Sequence, residues 1–175
     1  MTNTWNSRLT ARVSWKLGDD VSTDVIYPGR FMATVLPSET PKFAFADDES
    51  FNAKLRSGEV PPGSVLVAGK NFGCGSSREQ AASTLRGYDL VIVARGFARI
   101  FIQNAINLGL RTLTCPSIEA GVGDELAFEG DAVVNMTTGK RFAIEPLPAA
   151  RRAIVEAGGL IPYTRTRLIE SRRRA

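Results

Sequence analysis

Apolar and polar residues alternate strictly from Ala11 to Leu17, with Ala11, Val13, Trp15 and Leu17 on one set and Arg12, Ser14 and Lys16 on the other. A period of two predicts a half-buried strand, and Gly18-Asp19-Asp20 predicts the turn that ends it. Phe31 to Lys42 carries Pro37 and Pro41 with little periodicity, which predicts a loop able to cover a site. A short helix is predicted around Phe51. The pattern then changes. Val65-Leu66-Val67-Ala68-Gly69 and Leu90-Val91-Ile92-Val93-Ala94 are continuous apolar runs, as expected of strands buried on both faces. Between them Gln80 to Arg86 has helical spacing, with Gly87 as its stop. Phe97 to Leu108 reads as a second helix ended by Gly109, and Arg111 to Cys115 as a third strand before Pro116. Such β-α-β-α-β alternation implies parallel strands joined by crossover helices.

The remainder follows a different rule. Glu125 to Phe128, Ala132 to Met136 and Arg141 to Ile144 read as short strands. Glu129-Gly130-Asp131 and Thr138-Gly139-Lys140 mark turns between them, which predicts a small antiparallel portion. Pro148 to Gly158 reads as a final helix, and the arginine-rich tail beyond it as a solvated or frayed end. No repeat or linker divides the chain, so residues 1–175 are expected to form one α/β domain.

Composition narrows the chemistry. No histidine is present, which removes the commonest acid/base group and the commonest metal ligand. The two cysteines, Cys74 and Cys115, have no metal-ligand spacing, and a thiolate-held iron–sulfur cluster usually needs three or four. No metal is therefore expected on this chain. The net charge of +4 arises largely from Arg165, Arg167, Arg172, Arg173 and Arg174. These lack interleaved aromatics, and nucleic acid is not an expected partner. No apolar run approaches the roughly 20 residues that span a bilayer, and Met1 to Thr10 lacks a signal-peptide core. A cytoplasmic protein with no membrane partner is expected.

The candidate chemistry lies in Asn71-Phe72-Gly73-Cys74-Gly75-Ser76-Ser77-Arg78-Glu79, directly after an apolar strand and before a helix. Gly73 and Gly75 permit tight backbone geometry. Ser76 or Ser77 can cap the helix, with Glu79 placed as in a capping box. Backbone N–H groups and the helix dipole then favour an anion, and Arg78 adds a planar fork suited to a carboxylate or phosphate. The plain alternative is a well-capped helix without chemistry. By itself Asp24 reads as an Asx-turn or cap group, Arg30 as a surface charge, and Cys74 as a small side chain filling a tight turn.

These segments together resemble a known family. Gly18-Asp19-Asp20-Val21-Ser22-Thr23-Asp24, with Ile26, Pro28, Arg30 and Phe31, resembles the opening of isopropylmalate dehydratase small subunits. Val67 to Glu79 matches that family's strongest signature. Phe97-Ala98-Arg99-Ile100-Phe101, Asn104 to Asn107 and Gly109-Leu110 match its next block, and Thr137 to Lys140 and Glu156 to Leu160 fit its end. The domain is similar to the mobile C-terminal domain of aconitases. The resemblance implies a β/β/α swivelling-domain fold and a separate large subunit that carries a [4Fe–4S] cluster, whose iron would serve as Lewis acid. The implied activity is reversible dehydration of a hydroxy-dicarboxylic acid, most commonly isopropylmalate isomerisation in leucine biosynthesis. By the same resemblance Ser76 aligns with the catalytic base, Arg78 with the arginine that binds a substrate carboxylate, and Ser77 lies beside it. Asp24 aligns with the aspartate of the Thr-Asp motif that reaches the active site.

Phe31-Met32-Ala33-Thr34 lies where relatives read the variable part of the substrate. Members accepting an extra carboxylate tend to carry arginine at the position of Ala33, so an apolar substituent is expected here. Gln80 stands where the family often has histidine. Two other readings remain: the small subunit of a homoaconitase or a 2,3-dimethylmalate dehydratase, and a stand-alone anion- or RNA-binding domain.

Overall fold

The structure, a computed structural model, describes residues 9–174. Among these residues seven strands form one mixed sheet: β1 (Leu9–Lys16), β2 (Val65–Ala68), β3 (Val91–Ala94), β4 (Arg111–Thr114), β5 (Glu125–Glu129), β6 (Ala132–Asn135) and β7 (Lys140–Ala143). Their order is β4-β3-β2-β1-β5-β6-β7. The parallel β-α-β core and the antiparallel portion are both as expected, and β1 is the joint between them. Its first half, Leu9 to Arg12, pairs antiparallel with Phe128 to Glu125. Its second half pairs parallel with β2, with a register irregularity between Val13 and Trp15.

The continuous apolar runs of β2 and β3 have a simple cause. Alternate residues of a strand face opposite ways, and here both faces are covered. Leu66, Ala68, Ile92 and Ala94 pack with Phe51, Leu55, Phe72, Leu85 and Phe101. These come from or adjoin helices α2 (Glu49–Ser57), α3 (Glu79–Gly87) and α4 (Arg99–Leu108). Val65, Val67, Val91 and Val93 face the other way, against Leu126, Phe128, Val133 and Phe142 of the antiparallel strands. The sheet curls far enough that the Glu145 N–H, just after β7, donates to the Thr114 carbonyl at the end of β4 at 2.8 Å.

Three expectations need correction. Ser76 and Ser77 do not cap α3. Its N-cap is Arg78, whose side chain makes no capping bond, because the preceding turn is pulled into pairing with residues 21–23. Gly87 does not stop α3 but lies in its last turn. A Cβ there would come 2.2 Å from Pro41 Cγ, so its absence lets two segments touch. The tail is solvated, as expected, but is helical rather than frayed over its described length. After helix α5 (Ala149–Glu156) and Gly158-Gly159, a sixth helix, α6, runs from Leu160 to Arg174. The stretch read as a loop contains 3-10 turns at Gly29–Phe31 and Thr40–Phe43.

Candidate functional site

Two segments distant in sequence build the site. The turn after β1 and the turn after β2 run side by side from Gly18 to Thr23 and from Gly69 to Ser76. Gly69 N–H donates to the Gly18 carbonyl at 2.9 Å, Asp20 N–H to Lys70 at 2.9 Å, Gly73 N–H to Val21 at 2.7 Å, and Thr23 N–H to Cys74 at 2.7 Å. Side chains reinforce this ladder. The Asp19 carboxylate accepts from the Lys70 N–H at 2.7 Å, and the Asn71 amide donates to Asp20 at 2.8 Å. Asp20 and Asn71 both adopt left-handed backbone (φ 54° and 58°), a conformation that Asn and Asp tolerate better than most residues. Gly69 is forced by proximity, since a Cβ would fall 1.9 Å from the Asp19 carboxylate oxygen.

From this ladder α1 (Thr23–Ile26) projects. Its cap is Ser22, whose hydroxyl accepts from the Val25 N–H at 3.3 Å. Asp24 is therefore not spent on capping. It lies in the first turn and forms an ion pair with Arg78. The Arg78 side chain is 15% exposed and that of Asp24 54%. Arg78 also approaches the Tyr27 carbonyl at 3.5 Å, while its buried Nε has no hydrogen-bond partner. Gly29 borders the pair: a Cβ there would lie 3.3 Å from Arg78 Nη2 and 3.4 Å from an Asp24 oxygen. Thr23, buried, donates its hydroxyl to the Ser76 carbonyl at 3.1 Å. This fixes the backbone of the serine turn and leaves the Ser76 and Ser77 residues exposed.

The structure thus brings Asp24, Ser76, Ser77 and Arg78 to the carboxyl end of β2, where open parallel sheets bind ligands. The first turn of α3 opens there without a side-chain cap, which favours negative charge. Phe31 to Thr34 adjoin this site through Tyr27. The Tyr27 hydroxyl donates to the Phe31 and Thr34 carbonyls at 3.1 and 3.3 Å. Phe31 stacks on Phe43 with centroids 4.0 Å apart, and the Gln80 amide lies 3.5 Å from the Met32 carbonyl. Ala33 is exposed. Arg30 pairs with Asp47 and lies over the Phe31 ring, 4.6 Å from its centroid. That pairing holds the Asp47 carboxyl below the usual range. Tyr27, Gly29 and the Asp19–Lys70 latch were not singled out from sequence. Each acts through backbone proximity, which leaves no periodic signal.

Cys74 is half-buried and its thiol donates to the Asp20 carbonyl at 3.4 Å. Cys115 lies in the core, and burial pushes its thiol up to about 11. No group of three or more His, Cys, Asp and Glu side chains able to hold a metal occurs among the described residues. No helix there is long and apolar enough to cross a membrane.

The class of protein follows from this fold and its sheet-end turn. Residues 39–117 match the family model of the aconitase C-terminal domain. The 3-isopropylmalate dehydratase small subunit of Heliobacterium modesticaldum is 42% identical over 169 residues, covering 93% of this chain and 98% of the relative. The isopropylmalate/citramalate isomerase small subunit of Methanocaldococcus jannaschii is 42% identical over 163 residues, 90% of this chain and 94% of that one. A crystal structure of 3-isopropylmalate dehydratase from the same archaeon superposes with a TM-score of 0.85 at 36% identity, covering 95% of this chain and 98% of that one. The chain belongs to the family of 3-isopropylmalate dehydratase small subunits.

Proposed function

We propose that this chain works as a single swivelling subunit, supplying the base and one carboxylate site for the interconversion of isopropylmalate isomers, while a large subunit supplies an iron–sulfur centre. The observation that carries the reading is the convergence of Asp24 and Arg78 beside the exposed Ser76-Ser77 turn at the end of β2. The residues here do not suit a [4Fe–4S] cluster: Cys74 and Cys115 are the only thiols, and Cys115 is buried in the core. The cluster is therefore assigned to the partner, and departure of the hydroxyl is left to that subunit.

In this reading Arg78 binds a substrate carboxylate as a charge-assisted pair. Asp24, which holds the guanidinium in the free chain, orients the fork for it. Ser76, ionised to its alkoxide beside the guanidinium and the helix N-terminus, takes the proton from the carbon next to that carboxylate and becomes a neutral hydroxyl. The C–H electron pair becomes the double bond as hydroxide leaves the neighbouring carbon, and addition of water with hydrogen and hydroxyl on exchanged carbons gives the isomer. The charge that develops on the carboxylate in this step is stabilised by Arg78 and by the N-terminus of α3. The small Ala33 and the engagement of Arg30 by Asp47 favour an apolar substrate substituent over an additional carboxylate.

The experiment is reconstitution with the large subunit. Ser76→Ala is expected to abolish turnover while the two subunits still co-purify, and isopropylmalate is expected to outcompete dimethylmalate and homocitrate. Intact turnover in the alanine variant would remove Ser76 from its role, and a preference for homocitrate would overturn the substrate assignment.

A further inference from the structure

Tyr27 touches both halves of the proposed site. Its backbone carbonyl faces Arg78 at 3.5 Å. Its hydroxyl, at the far end of a fully buried ring, donates to the carbonyls of Phe31 and Thr34. The ring is wedged edge-on against Phe31 and Phe43, with centroids 6.4 and 6.1 Å away. Phe31 and Phe43 stack on each other. Phe31 to Thr34 is otherwise lightly held. Met32 and Ala33 are exposed, and among the described residues the one other side-chain contact to a backbone carbonyl here is the 3.5 Å approach of Gln80 to Met32. The bond from the Thr34 N–H to the Phe31 carbonyl, at 2.9 Å, closes the same small turn that Tyr27 clamps from below.

We infer that Tyr27 is a positioning residue that sets the substrate-selective turn, Phe31 to Thr34, at a fixed distance from the carboxylate-binding Arg78. The inference rests on the reading of Arg78 and of this turn given above. One hydroxyl serving the carbonyls at both ends of this turn, Phe31 and Thr34, defines the curvature of the backbone between them. The same residue's carbonyl lies 3.5 Å from the guanidinium, so one residue links the anchor of the turn to the arginine. A substrate bridging the two would have its carboxylate and its apolar group placed by one buried phenol. Burial raises the Tyr27 phenol above its ordinary value, so it stays a donor throughout the working range.

Tyr27→Phe keeps the ring in its packing and removes only the donor. In the full chain, amide exchange across residues 31–36 is expected to rise about five-fold, the worth of one lost donor shared between two carbonyls, with the sheet unchanged. In the complex with the large subunit, KM for isopropylmalate is expected to rise about five-fold with kcat within about two-fold, and discrimination against dimethylmalate to narrow. A reduced kcat at unchanged KM, or faster exchange with unaltered KM and selectivity, would overturn the proposal by reducing Tyr27 to a structural part. Failure of the site reading is separate: it shows as turnover surviving Ser76→Ala, whatever Tyr27→Phe does to exchange.

Discussion

Asp24 and Arg78 lie 54 positions apart in sequence and meet as an ion pair in which the cation is the buried partner and the anion the exposed one. This asymmetry fixes who depends on whom. Without Asp24 the guanidinium keeps, among the described residues, only the distant Tyr27 carbonyl, whereas the exposed Asp24 without Arg78 is still solvated. Asp24→Ala should therefore destabilise the chain by about 1 kcal/mol in urea unfolding, modest because half of the carboxylate side is solvated. In an Arg78→Met background the same change should cost close to nothing. Strict additivity of the two substitutions would mean that the pair contributes no coupling.

The turn that carries the serines is held open by a missing side chain. Gly73 has φ +81°, and a Cβ on it would lie 2.1 to 2.6 Å from atoms of Phe101. Gly63 has a similar φ of +83° but faces open space. Gly63→Ala should cost about 1 kcal/mol for the left-handed backbone alone. Gly73→Ala should cost roughly 3 kcal/mol, since overpacking against a ring is added. Unfolding midpoints of the two variants give the comparison directly, and equal losses would show that Phe101 yields without cost.

The antiparallel half carries its own acid sensitivity. Asp124 accepts from the Gly121 N–H and the Asn135 amide, both at 2.8 Å. These two bonds, in that order, hold its carboxyl below the usual range. A depressed folded value means that the contribution to stability is present above the unfolded value, about 4, and is lost as pH falls through the folded one. The stability gap between the native chain and Asp124→Asn should therefore be constant above about pH 5 and shrink below about pH 4. Glu119 and Asp47 are also depressed, by Lys140 and Arg30, but they are common to both proteins and cancel. A gap that stays level down to pH 2.5 would remove Asp124 from the acid limb.

The parallel core was legible because its physics is local. β2 and β3 are buried at all four positions each, and only a strand covered on both faces demands an uninterrupted apolar run. The antiparallel strands were legible from their turns. What escaped is the competition between long-range pairing and local capping. Ser76 and Ser77 fit a capping box by spacing, yet Thr23 and Gly73 recruit this segment into contacts with residues 21–23, and the cap falls to Arg78. Asp24 looked like a cap for a similar reason, but Ser22 holds that place and frees it for Arg78. α6 escaped for want of an apolar face: Leu160, Ile161, Leu168 and Ile169 are all exposed, so burial imposed no period on its sequence. The Tyr27 clamp runs through backbone carbonyls, which no residue pattern encodes.

The two thiols should separate cleanly. Cys115 is wholly buried and its thiol is pushed up to about 11 by that burial, so thiolate is scarce and unreachable at pH 8. Cys74 is partly open, between Gly73 and Gly75, with its sulfur turned to the Asp20 carbonyl. A thiol reagent at pH 8 should modify one cysteine in the native chain, Cys74, and the second only at the rate of unfolding. No base stands against Cys74 among the described contacts, so its place in the turn is a matter of size. Cys74→Ala should retain turnover in the complex while losing the fast labelling phase. Loss of activity in that variant, with the fold intact, would instead make the sulfur part of the reaction.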